Sequence, residues 1–174
     1  TGEITSRSNL TNLLKAFSAF KKRQKSSMQL LITSEQKKIY DGFATNLESY
    51  KFRNDVKILT GLTMQENAKI IASAYGMVYA PFYESFGTSL LKAMKCEVPL
   101  ITSLTGVIPE IGGDAALYTN AENFKEIAVK MMQLFRDEKL RKDLIEKGKQ
   151  QVQKFNWDNT VSQVWNSIEK TRDI

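Results

Sequence analysis

Short apolar runs alternate with longer amphipathic stretches along this chain, and that alternation limits the fold more than any other feature of the sequence. Met28 to Thr33, Val56 to Leu59, Met77 to Ala80, Val98 to Thr102 and Ala115 to Tyr118 read as strands. Between them lie segments with helical spacing. Residues 8–25 carry Leu10, Leu13, Leu14, Phe17 and Phe20 on one face, with Ser8 or Asn9 as the cap. Residues 35–52 carry Ile39, Tyr40, Phe43 and Leu47, interrupted by Gly42. Thr63-Met64-Gln65-Glu66 has capping-box spacing and opens a helix to about Tyr75. Further helices are expected over 87–95, 122–136, 138–154 and 157–172. Such a pattern predicts an α/β fold, a Rossmann-like parallel sheet with helices on both faces. Thr1-Gly2 reads as the end of a first strand. In the common strand order that strand is central, so without it the neighbouring edges are expected to be unpaired.

Composition narrows the chemistry. A length of 174 residues suits one domain with a sizeable core. No apolar run approaches the roughly 20 residues of a membrane helix, and the polar opening residues lack the apolar segment of a signal peptide. Cys96 is the sole cysteine, so no internal disulfide forms, and a small buried hydrophobe is its expected role. Histidine is absent, which excludes a His-based nucleophile relay or His metal site; no metal and no cofactor is expected. The net charge of +6 suits phosphorylated ligands, anionic membranes or nucleic acid. Its densest stretch, Lys21 to Lys25, falls at a helix end, where cations complement the dipole, and no aromatic residue interleaves it. A nucleic-acid partner is therefore not expected.

The segment from Tyr79 to Gly113 carries the chemistry. A strand ends at Ala80, a loop holds Glu84, and Phe86-Gly87-Thr88 opens a helix whose free amides form an anion site. Gly87 allows close approach to the backbone. The loop Thr105-Gly106-Val107-Ile108-Pro109-Glu110 follows the next strand and is expected at the same sheet edge, where open α/β sheets bind ligands.

These residues, Glu84-Ser85-Phe86-Gly87, Ala93-Met94, Val98-Pro99, Gly106-Val107-Ile108-Pro109-Glu110 and Gly113-Asp114-Ala115-Ala116, resemble the C-terminal domain of glycosyltransferase family 4, the group 1 glycosyl transferases of GT-B fold. The flanks agree: Val56 to Gly61 resembles the family strand ending in Gly, and Phe155-Asn156-Trp157 the opening of its last helix. The resemblance implies a retaining transfer of a hexose from a UDP- or GDP-linked sugar to a glycan or lipid-linked acceptor. It implies that residues 1–174 form only the nucleotide-sugar-binding half. An N-terminal half outside this sequence would hold the acceptor. It implies a bacterial, cytoplasmic protein of polysaccharide biosynthesis, peripheral to the inner face of the membrane when full-length.

Carried over by position, Glu84 and Arg7 are the catalytic candidates. Gly2, Gly61, Leu62, Phe86, Gly87, Thr88 and Lys92 are the candidates for nucleotide-sugar binding. Three positions depart from the family pattern, one of them Arg7, which stands where a lysine is usual and keeps the charge. Lys92 stands where a second acid is usual, and an ammonium donates where a carboxylate accepts. Glu3 stands where a cation is usual; Lys92 and Glu3 are candidates for a compensating pair. The departures at Lys92 and Glu3 motivate an alternative, a degenerate non-catalytic relative kept for protein contacts. Trp157, Val161, Val164, Trp165 and Ile168 form an apolar helical stripe, expected to pack in the core unless the last helix crosses to an N-terminal half.

Overall fold

The computed structural model describes residues 5–37, 43 and 47–172. Five strands, β1 Leu30–Ser34, β2 Val56–Thr60, β3 Met77–Tyr79, β4 Leu100–Ser103 and β5 Ala116–Thr119, alternate with helices. The helices are α1 Leu10–Gln24, α2 Met64–Ala72, α3 Thr88–Lys95, α4 Ile108–Gly112, α5 Phe124–Arg136, α6 Glu138–Val152 and α7 Trp157–Arg172. All strand pairs are parallel, as the alternation predicts. β4 is buried along its whole length, because helices cover both faces of the sheet. Its successive residues point to opposite sides: Leu100 packs with Leu90, Met94 and Ile111, and Ile101 with Leu134 and Leu144.

The sheet is in two pieces, β1-β2 and β3-β4-β5. Among the described residues β1 pairs only with β2 and β3 only with β4. A cavity of about 910 Å³ lies between β1 and β3, lined by Leu13, Phe17, Ile32, Ile71, Met77 and Ile101 among others. Residues 1–4, and with them Gly2 and Glu3, lie outside the described residues.

Helix α1 packs on α5 through aromatic rings. Phe20 stacks on Phe17 with centroids 6.3 Å apart and meets Phe135 edge-on at 5.4 Å. Asn9 stands before α1 with left-handed backbone (φ 56°) and makes no side-chain cap. Its amide instead donates to the carbonyls of Ala80 and Ala121, both at 2.7 Å, pinning the start of α1 to the ends of β3 and β5. Lys21 is not part of a solvated charge cluster. It is buried, pairs with Asp55 at 3.0 Å, and donates to the carbonyls of Ser26 and Met28. Those bonds, with Ser26 Oγ accepting from Met28 N, occupy the backbone before Leu30, and β1 begins two residues later than the apolar run.

Other boundaries shift modestly. Helix α2 ends at Ala72 rather than near Tyr75, while its Thr63–Glu66 capping box forms as expected. The helix expected over 35–52 falls largely outside the described residues; Phe43 and residues 47–48 are helical. The loop around Pro109 closes into the short helix α4, since proline is tolerated in a first turn. Cys96 is half-buried rather than buried, caps the end of α3, and its Sγ–H points to the Ala68 carbonyl at 3.7 Å. The expectation that α7 packs its stripe in the core is overturned. Trp157, Val161, Val164, Trp165 and Ile168 are all more than half exposed.

Candidate functional site

The carboxyl ends of β3 and β4 and the start of α3 are tied into one surface. Thr102 Oγ1 donates to the Tyr79 carbonyl at 2.6 Å. Ser103 Oγ and Thr105 Oγ1 donate to the Pro81 carbonyl at 2.9 and 3.2 Å. These bonds hold the exit of β3, so the loop bearing Glu84 follows a fixed path. The second loop presses against it. Gly106 has φ 55°, and a Cβ there would lie 2.8 Å from the Glu84 carbonyl oxygen. Gly87 precedes α3 with φ 84°, and its Cα faces Ile111 of α4. Neither position accepts a side chain without strain.

Glu84 is held on several sides. Tyr79 Oη donates to its Oε2, and the amides of Ser85 and Phe86 donate to Oε1 at 3.1 and 3.3 Å. The Gly87 amide donates as well. Burial pushes this carboxyl up, but the Tyr79 hydroxyl and the three amides together outweigh it and hold the group below the usual carboxylate range. Tyr79 is pushed well up by burial and by the adjacent carboxylate, so it stays protonated and serves as a donor. The chain's own carboxylate thus rests on the amides of Ser85, Phe86 and Gly87, just ahead of the first residue of α3. Thr88 and Phe86 are exposed beside it. Arg7 is exposed, and its carbonyl accepts from Phe82 N at 3.2 Å, two residues before Glu84.

A second polar cluster lies along the same sheet edge. Lys92 follows Thr88 by one helical turn and donates to Glu35 Oε1 at 2.6 Å. Asn67 Nδ2 reaches the same oxygen at 3.3 Å, and Thr33 Oγ1 donates to Asn67 Oδ1 at 3.0 Å. Lys92 thus pairs with Glu35, which sits just past the end of β1 within reach of α3; the expected pairing with Glu3 falls outside the described residues. The Lys92 ammonium bond, then the Asn67 amide, then the Lys92 charge hold Glu35 below the usual carboxylate range. The Gly61 amide donates to the Gln36 carbonyl at 3.3 Å and the Leu62 amide to the Ser34 carbonyl at 3.4 Å. The loops after β1 and β2 are stitched together there. Gly61 has φ 69° and lies against the Lys37 stem. Gly2 lies outside the described residues. Sequence reasoning missed Tyr79, Glu35 and Asn67. A tyrosine at a strand end and an acid just past one were the available signals.

The family model for glycosyl transferases group 1 matches residues 1–151. The chain is 26% identical to the Escherichia coli O-antigen chain mannosyltransferase B over 166 residues, covering 95% of this chain and 44% of that relative. It therefore spans less than half the length of that curated relative. Among solved structures, the C-terminal domain of a glycosyl transferase group 1 family protein from Francisella tularensis aligns with TM-score 0.74 at 19% identity, covering 88% of this chain and 82% of that one. An Anabaena protein solved in complex with UDP and glucose aligns with TM-score 0.79 at 14% identity, covering 97% and 47%. The chain belongs to the glycosyl transferases group 1 family and has the fold of the C-terminal domain of its GT-B members.

Proposed function

We propose that this chain is the donor-binding half of a retaining glycosyltransferase, which passes a hexose from a nucleoside diphosphate sugar to a glycan or lipid-linked acceptor. The acceptor would be held by an N-terminal half outside this sequence, and the whole protein would work at the cytoplasmic face of the membrane. One observation supports this reading most: in a chain of this family, Glu84 sits on the loop amides of Ser85 and Phe86 just ahead of α3, at the carboxyl edge of the sheet. A diphosphate competes for those amides with more charge than one carboxylate. Its arrival at Phe86, Gly87 and Thr88 releases Glu84 to accept from donor-sugar hydroxyls. Gly61 and Leu62 border the base, and the Arg7 guanidinium stabilises charge on the departing diphosphate. Lys92 acts on the same nucleotide through Glu35. No metal enters this scheme.

The test is thermal unfolding with UDP, GDP and ADP. One nucleotide at 100 times its Kd stabilises by about 2.7 kcal/mol. Gly87→Asp adds a charge that repels phosphate, at a left-handed position that aspartate strains less than most residues do, and removes the shift. No shift with any of the three contradicts the reading. The alternative, a non-catalytic interaction domain, draws on Lys92 and on the exposed α7 stripe. Sugar transfer by the full-length protein excludes it.

A further inference from the structure

Glu35 enters the scheme above only as the partner of Lys92, yet its carboxylate is held by two side chains. The polar chain Thr33–Asn67–Glu35–Lys92 begins in β1, passes through Asn67, which is 1% exposed, and ends on α3. An exposed Lys–Glu pair on its own contributes at most about 1 kcal/mol and needs no buried asparagine behind it. Here both bonds fall on Oε1, and Oε2 has no partner among the described residues. Glu35 stands one residue beyond the carboxyl end of β1. On one side lie Gly61 and Leu62, whose amides bond to residues flanking Glu35. On the other lies α3, where Lys92 stands one helical turn, about 5.4 Å, beyond Thr88, the first residue of the helix that follows the cradle amides. A ribose joins base to diphosphate, and it must lie between the sites that hold those two groups. A carboxylate there accepts from vicinal hydroxyls, as an acid past a strand end does in other nucleotide-binding sheets.

We propose that Glu35 accepts hydrogen bonds from the ribose hydroxyls of the donor nucleotide, and that Lys92 and Asn67 are positioning residues that fix its carboxylate; this rests on the donor-binding reading above. The lysine and the asparagine both hold Oε1, which fixes the carboxylate in place. The ribose-recognising acid thus comes from the β1 edge instead of from α3 itself.

The experiment is calorimetric titration of the full-length protein with UDP, GDP and ADP and with their 2′,3′-dideoxy counterparts. The wild type is expected to bind the ribonucleotide about ten- to a hundredfold more tightly than its dideoxy analogue, the range for hydrogen bonds to a charged acceptor. Glu35→Gln is expected to lose most of that ratio while its affinity for the dideoxy nucleotide stays unchanged. Lys92→Met shrinks the ratio in part, and Lys92→Arg restores it. Both side chains are more than a third exposed, so these variants fold. If Glu35→Gln keeps the wild-type ratio, or if the wild type shows none, the assignment of Glu35 is overturned and donor binding stands. If no nucleoside diphosphate binds the wild type, the donor-binding reading falls and Glu35 with it.

Discussion

At the scale of single residues, the account turns on how Glu84 is held. Its hydrogen bonds lower its proton affinity in the folded state, so their contribution to stability is present above the ordinary carboxylate pKa and is lost as pH falls through the lowered one. Tyr79→Phe removes the hydroxyl donor. The Glu84 carboxyl titration, followed by carbon-13 NMR, is expected to move up toward the usual carboxylate value, and the variant to lose about 1 kcal/mol in denaturant unfolding. A titration unchanged from wild type contradicts the geometry at Glu84. The sequence pointed to Glu84, Gly87 and Thr88 because those residues lie close together in the chain. It concealed Tyr79, which reads only as an apolar strand residue until the fold returns Glu84 onto its hydroxyl. The Glu35–Lys92 pair is harder still to foresee, since the partners are 57 residues apart.

At the scale of elements, local signals carried well. The Thr63–Glu66 capping box is a four-residue pattern, and both of its reciprocal bonds form. Helical periodicity in α1 named Leu14, Phe17 and Phe20, all of them buried. Phe20→Ala, which empties a site between Phe17 and Phe135, is expected to cost about 3–5 kcal/mol in denaturant unfolding. At the junction of the two loops, Gly106→Ala places a methyl against the Glu84 carbonyl in left-handed backbone. Its expected outcome is a loss of about 1–2 kcal/mol, with a displaced Glu84 resonance in the same NMR titration. What the sequence could not show at this scale was where a side chain's hydrogen bonds go. Asn9 carries the signature of a cap, yet its amide is spent on Ala80 and Ala121, more than 70 residues away. Lys21 carries the signature of a solvated charge, yet it is buried on Asp55.

At the scale of the whole molecule, the alternation of strands and helices was enough to predict a parallel sheet. The stripe on α7 was legible as a stripe only, because periodicity shows that a face is apolar and not what lies against it. Among the described residues nothing covers it. Replacing Val164 and Trp165 by serine is expected to change the stability of this chain by less than about 0.5 kcal/mol and to reduce self-association in sedimentation at high concentration. A large loss of stability would show that the stripe packs on the body. The central claim, that the nucleotide binds at the carboxyl edge around the start of α3, is tested most directly by following backbone amide resonances while UDP, GDP or ADP is titrated in. The account predicts that Ser85, Phe86, Gly87 and Thr88 shift first and furthest, with Gly61, Leu62 and Glu35 following for the preferred base. Shifts confined to the cavity between β1 and β3 or to α7, or none with any nucleotide, would contradict it.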